Sequence, residues 1–394
     1  MNISHNISHY IGNADEFPIL EHRNFFNHAG VSPLPRCAGD ALRQFAQQYE
    51  SYAYLDSGFY KAIEALRVSA AAMINAHRDE IAFIKNTSEG IATVASGIDW
   101  LPGDRIVTSN VEYPANMYPW MDVAKRFGAE LITVPEVTAA DGSRSVPLDA
   151  LLKAADHPRT RLLALSHVEY ASGQRHDLAT IGQFCRQRNI LFCVDAIQSM
   201  GVLPLDVRGM NIDYLAADGH KWLLGPEGAG VFFCRRELLA NTRPLSIGWM
   251  NVINDQDYGH YDLTLKSDAR RFECGTHNLP GLLAFKASLE LLLNLGVQAV
   301  SQRLRTLTDR LCSGLNEKGY NVISPRGAEQ WSGIVSFTSA EQQRIFQNLR
   351  INYQTEIALR EGRLRVSAHF YNTEAQIDRL LADISASGSP RCDL

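Results

Sequence analysis

From about residue 60 to 235, short apolar runs alternate with amphipathic stretches. Ile81 to Ile84 reads as a strand, followed by a polar turn and a helix from Ser88. Arg105 to Ser109 predicts a second strand, and Pro114 to Phe127 the helix after it. Glu130 to Val134, Arg161 to Val168, Ile190 to Asp195, Tyr214 to Ala217 and Gly230 to Cys234 continue the series, with a helix over Asp177 to Arg188. These runs are apolar on both faces and separated by helices, the pattern of an α/β protein whose mostly parallel, seven-stranded sheet is covered on two sides. Residues 236–270 break the rhythm with polar segments bearing Tyr and Asp. A long helix from Pro280 to about Leu295 follows. The last hundred residues hold a helix around 300–317, short strands at Tyr320 to Ile323 and Gly333 to Phe337, and terminal helices. This tail reads as a smaller α+β domain.

Composition narrows the classes. At 394 residues the chain exceeds the roughly 250–300 at which single cores stop growing, so a large domain and a smaller one are expected. Hydrophobic content of 45% and charged content of 21% are those of a globular protein and exclude a disordered or fibrous one. A net charge of −5 gives no basic footprint for nucleic acid or an anionic membrane. No apolar run is long enough to span a bilayer. Met1 to Tyr10 is polar and does not read as a secretory signal. The seven cysteines (37, 185, 193, 234, 274, 312, 392) form no CxxC pair, and several fall in apolar runs, so buried thiols in a reducing cytoplasm are expected.

Three short motifs carry chemistry. Asp218-Gly219-His220-Lys221-Trp222, followed by Gly225 to Gly230, sets a lysine between a strand end and a glycine-rich turn. That packaging suits an amine that must be held and desolvated to form a Schiff base, though a solvated loop lysine would also fit. Asp195 ends an apolar strand in Val194-Asp195-Ala196-Ile197-Gln198. A buried carboxylate there needs a partner, and a pyridinium nitrogen would serve; a helix cap is the other reading. Asn86-Thr87-Ser88-Glu89-Gly90 opens a helix after a strand, either as an anion site at the helix N-terminus or as an ordinary cap. All three lie at the carboxyl ends of strands, the edge where open α/β sheets bind ligands.

Together these motifs resemble fold-type I pyridoxal 5′-phosphate (PLP) enzymes of the class V aminotransferase family, which includes cysteine desulfurases, selenocysteine lyases, kynureninase and isopenicillin N epimerase. The resemblance runs from Phe26-Asn27-His28-Ala29-Gly30 to Arg365-Val366-Ser367. It implies an N-terminal arm over 1–17 that packs with the small domain, a PLP-binding domain over 18–283 and a small domain over 284–394. It makes Lys221 the Schiff-base lysine and Asp195 the partner of the ring nitrogen. Gln198 would lie near the ring oxygen, Thr87, Ser88 and His220 in the phosphate cup, Asp218 where many relatives carry Ser or Thr, and Tyr113 on the ring. Arg271 to Thr276 resembles the segment whose Thr reaches the phosphate of a neighbouring subunit, so Thr276 implies a homodimer with shared active sites. Arg365 matches the arginine that binds the substrate carboxylate through a two-pronged fork, although Arg363 would point the same way. Tyr170 and His28 are further substrate-binding candidates, Arg175 and His277 suggest a polar pocket, and His167 reads as a hydrogen-bonding residue of the sheet edge, with a substrate contact as the other reading.

Two departures steer the expected reaction. Desulfurases carry histidine where Tyr113 stands, and histidine is the better proton shuttle near neutral pH. They also need a mobile-loop cysteine shortly before the carboxylate-binding arginine, and residues 339–364 contain none. The expectation is therefore an enzyme acting on an amino acid through an external aldimine, with aminotransferase or epimerase chemistry favoured. Cysteine desulfurase or selenocysteine/C–S lyase chemistry is the alternative, and a non-catalytic PLP-fold binding protein a further one. No metal is implied. A nicotinamide-dependent oxidoreductase is disfavoured, because Gly225 to Gly230 does not open a helix after the first strand.

Overall fold

The computed structural model describes residues 7–388. Seven strands form the main sheet: β1 (Ile81–Ile84), β2 (Arg105–Ser109), β3 (Glu130–Val134), β4 (Thr160–Ser166), β5 (Leu191–Asp195), β6 (Tyr214–Asp218) and β7 (Gly230–Cys234). Their order is β1-β7-β6-β5-β4-β2-β3. Only β7 runs antiparallel, to β1 and to β6; the other pairs are parallel. The sheet expected from the sequence is thus present, with each strand within two residues of its predicted limits.

Alternation along the strands divides their side chains between two cores. Ile81, Phe83, Leu163, Leu165, Val194 and Leu215 join the core on one face; Ala82, Ile84, Leu162, Ala164, Cys193 and Ala216 join the other. Helices α1 (Arg36–Tyr52) and α2 (Phe59–Met73) pack on the long helix α4 (Leu279–Leu295). Helix α3 (Thr87–Gly97) covers the opposite face through Ile91 and Val94. No single helix among the described residues is long and apolar enough to cross a membrane.

The smaller unit carries a four-stranded antiparallel sheet of β8 (Asn321–Val322), β9 (Ile334–Thr338), β10 (Ala358–Arg360) and β11 (Arg363–Ser367), ordered β8-β9-β11-β10. Helix α5 (Val297–Glu317) packs on it, and Leu307, Leu311, Phe337, Leu364 and Val366 share one core. The expected boundary at 283/284 falls inside α4. Leu282, Phe285, Leu289 and Leu292 of that helix are buried in the large core, so the helix belongs to the large unit and the change of core comes within α5. Residues 1–6 of the expected N-terminal arm and 389–394 of the tail, with Cys392, lie outside the described residues. The rest of the arm lies on the 370–371 turn: Phe17 stacks on Tyr371 at 3.8 Å, and the Gly12 N–H donates to the Tyr371 carbonyl at 2.8 Å.

Candidate active site

The carboxyl ends of β5 and β6, the N-terminus of α3 and the small sheet surround a cavity of about 730 Å³. Its walls include Thr87, Ser88, Tyr113, Tyr170, Asp195, Gln198, Asp218, His220, Lys221 and Arg365. The three motifs, distant in sequence, therefore meet in one place.

Local folding sets each group. Past β6 the chain turns sharply: Gly219 donates to the Ala229 carbonyl at 2.9 Å, and a Cβ on Gly219 would lie 2.6 Å from that oxygen, so only glycine fits. This turn delivers Lys221 into the cavity, buried, with its Nζ 5.4 Å from the centre of the Tyr113 ring. Asp195 ends β5; its Oδ1 accepts from the Ile197 N–H at 2.9 Å. Helix α3 begins at Asn86, whose side chain accepts from the Glu89 N–H at 3.0 Å. The Thr87 hydroxyl accepts from the Asp218 N–H at 3.1 Å and ties the helix end to β6. Asp218 in turn holds His220, with Nδ1 and Oδ2 2.9 Å apart. Gln198 is fixed at both ends, donating to the Ala29 carbonyl at 3.1 Å and accepting from the Trp222 indole at 2.8 Å. Tyr113 is 46% exposed at the mouth, and Tyr170 meets its ring edge-on at 5.2 Å.

The electrostatics show three buried charged groups that lack an ionic partner among the described residues. Burial raises Asp195 to about 6, against the opposing effects of the Ile197 N–H and the Lys221 charge. Burial lowers Lys221 to about 8, although Asp195 favours its charged form. Burial, reinforced by the nearby Arg360 charge, lowers the Arg365 guanidinium to about 9. Arg365 donates to the Tyr170 carbonyl at 2.8 Å, while its buried Nε has no acceptor. Desolvated charges without partners are costly. A site with an acid, an amine and a guanidinium in one cavity, beside a helix N-terminus, fits PLP bound to an amino acid substrate: a cationic ring nitrogen, a carbonyl carbon, a carboxylate and a phosphate each meet a complementary group.

Several sequence candidates are placed elsewhere. His28 does not line the cavity. It is fully buried, with Nδ1 2.8 Å from the Ser367 carbonyl and Nε2 2.6 Å from the Tyr371 hydroxyl, so both nitrogens are occupied and it cannot bind substrate. His167 is buried just past the end of β4, its backbone N–H donating to the Asp195 carbonyl at 2.8 Å, Arg175 lies against Glu329 and Trp331, and His277 against Glu273. Thr276 is exposed and outside its own chain's cavity. Arg363 is held by Glu136 at 2.7 Å, which leaves Arg365 as the arginine of this pair in the cavity. Arg360 also lines the wall but was not singled out from the sequence. The turn signal at Gly362 and the spacing of Arg360, Arg363 and Arg365 could have revealed it.

The chain is similar to known proteins over almost its whole length. The family model Aminotransferase class-V matches residues 24–380. A probable cysteine desulfurase of Methanothermobacter thermautotrophicus is 28% identical over 400 residues, covering 95% of this chain and 97% of that protein. Isopenicillin N epimerase of Streptomyces clavuligerus is 30% identical over 378 residues, covering 91% and 94%. Among solved structures, the cystine C–S lyase in complex with its reaction product, cysteine persulfide, superposes with a TM-score of 0.86 at 28% identity, covering 95% of this chain and all of that one. A mutant of that lyase, at 27% identity and the same TM-score over 95% and 99% of the two chains, has glycine covalently linked to its PLP cofactor.

Proposed function

The chain belongs to the class V aminotransferase family and is a PLP-dependent enzyme of fold type I, and from that premise we propose that it cleaves the Cβ–S bond of a cysteine-type amino acid and releases the sulfur product directly. The absence of cysteine from the cavity, among the described residues, carries the reading. None of the cysteines among the described residues lines the wall, and the stretch before Arg365 holds none to take up sulfur as an enzyme persulfide. The desulfurase and lyase relatives favour sulfur chemistry over the transamination or epimerisation expected from Tyr113 and the missing loop cysteine.

In this reading Lys221 holds the cofactor's carbonyl carbon and Asp195 its ring nitrogen. Ser88, Thr87, His220 and the α3 N-terminus take the phosphate, and Gln198 and Tyr113 border the ring. Asp218 stands beside the phosphate position, with the His220 Nδ1 2.9 Å from its Oδ2. The bound cofactor supplies an electron sink that makes the substrate's α-hydrogen removable. Arg365 fixes the α-carboxylate. The Lys221 amine, freed when the substrate's amine takes its place and made a better base for the neutral range because burial lowers it to about 8, takes the α-proton. The Cβ–S bond then breaks with its electron pair going to sulfur. The aminoacrylate set free hydrolyses to pyruvate and ammonia.

Thr276, exposed beside the site's own chain, serves the neighbouring subunit's phosphate in a homodimer. Unbridged thiols at all six described cysteines suit a reducing cytoplasm. The test is a product analysis of the PLP-loaded enzyme with L-cysteine and L-cystine. Pyruvate and ammonia in equal amounts are expected, unchanged in Cys274→Ser and abolished in Lys221→Ala. Alanine with sulfur bound to the enzyme, or a keto acid or inverted amino acid with the sulfur retained, would refute the proposal.

A further inference from the structure

Arg360, Arg363 and Arg365 share one face of a single hairpin. Arg360 stands opposite Arg363 across the β10–β11 pair, and Arg365 follows Arg363 by two positions, so all three project to the same side. Like charges facing each other across a strand pair are destabilising, and anions that meet them offset this. The protein supplies one anion: Glu136 accepts from both ends of the Arg363 guanidinium, at 2.7 and 3.3 Å, with both side chains buried. Under the reading above, the substrate's α-carboxylate supplies the second, at Arg365. Arg360 is left over.

Arg360 donates to the Leu359 carbonyl at 3.0 Å, and among the described residues no carboxylate pairs with it. Its place is nevertheless set. Glu361 and Gly362, with φ of 48° and 74°, make a two-residue turn of the kind that matches strand twist. Glu361 accepts a hydrogen bond from the Tyr170 hydroxyl on the opposite wall, and the Arg363–Glu136 pair holds the other side. Elsewhere along the cavity Arg350 faces Glu356 at 3.5 Å, and the exposed Arg23 donates to the Arg350 carbonyl at 3.4 Å.

We infer that Arg360 is a second anion subsite in the same cavity as Arg365, and that the substrate is an α-amino acid with a further carboxylate at the far end of its side chain. Because this rests on the C–S cleavage reading, the substrate class becomes cysteines S-linked to a carboxylate-bearing group, of which the disulfide cystine is one. Two carboxylates then meet two guanidiniums in a forked geometry that lysine would not match.

The test compares S-(2-carboxyethyl)-L-cysteine with the neutral S-propyl-L-cysteine on the PLP-loaded wild type, Arg360→Gln and Arg360→Lys. In Arg360→Gln the KM of the acidic substrate, followed by pyruvate release, should rise about 10- to 100-fold with kcat changed far less. The KM of the neutral substrate should move little, and Arg360→Lys should recover part of the loss. A second readout needs no cleavage: the Kd of L-2-aminoadipate against L-norleucine, followed by the cofactor's visible absorbance. The wild type should prefer the dicarboxylate by about tenfold or more, and Arg360→Gln should erase the preference. If that preference appears without any pyruvate from either cysteine, the subsite stands and the cleavage reading falls. Equal KM and Kd ratios in wild type and Arg360→Gln would overturn the subsite, as would a loss of the same size on acidic and neutral ligands.

Discussion

A lysine that condenses with an aldehyde must first lose its proton. In water that happens near 10.5, whereas burial brings Lys221 to about 8. The sign is fixed by which form reacts: below about pH 8 the ammonium predominates and is inert, and above it the free amine does. The rate at which cofactor-free enzyme takes up PLP should therefore rise about tenfold per pH unit up to roughly 8 and then level off. Stopped-flow absorbance from pH 6 to 10 would follow it, and a rate still climbing steeply at pH 10 would mean that Lys221 is not desolvated. Lys221, Asp195 and Thr87, which the structure brings to one cavity, could be singled out by residue type and strand-end position, whereas the choice of Arg365 over Arg363 rested on the family resemblance alone. His28 was not, because its fate depends on Ser367 and Tyr371, more than 300 residues away, which consume both of its nitrogens. Arg360 was missed for a related reason. Its neighbour Arg363 is neutralised by Glu136, 227 residues earlier in the chain, and only that pairing makes Arg360 stand out.

Strands buried on both faces announce themselves as unbroken apolar runs, which is why β1 to β7 could be read from the chain. Helices α1 and α2 could not. The reading of alternating runs began only near residue 60, and α1 is an amphipathic surface helix, with Gln44, Gln47 and Glu50 exposed and only Ala38 fully buried, so it offers no unbroken apolar run. What positions the phosphate end of the cavity is a close approach invisible to periodicity. A Cβ on Gly90 would lie 2.6 Å from the Ala216 Cβ and 3.0 Å from Ile84, so glycine allows α3 to press on β6. Alanine would gain about 1 kcal/mol of helix propensity but lose about 1–3 kcal/mol to overpacking. Gly90→Ala should thus be destabilised by up to about 2 kcal/mol in urea unfolding, and Gly90→Val by more. Both should bind PLP more weakly, because Thr87 and Ser88 ride on the displaced helix. A Gly90→Val protein as stable as the parent would show that the helix has room to move.

At the scale of the whole molecule, the proposed dimer is open to a decisive genetic test. Lys221 and Thr276 fall in different sites if Thr276 serves its neighbour, and in the same site if it serves its own chain. A Lys221→Ala subunit lacks its amine, and a Thr276→Arg subunit obstructs the phosphate of whichever site it reaches. In a mixed dimer with Thr276 reaching across, both lesions fall on the Lys221→Ala subunit's site, and the other site is whole. Unfolding the two inactive variants together and refolding them should therefore restore about a quarter of wild-type activity, since half of the dimers are mixed and each has one intact site of two. If Thr276 acted within its own chain, every site in every combination would carry one lesion, and no activity would return. Sedimentation of the mixture supplies the control: recovery without a dimer, or a dimer without recovery, would show that the shared-site geometry is wrong even where the chemistry of the cavity is right.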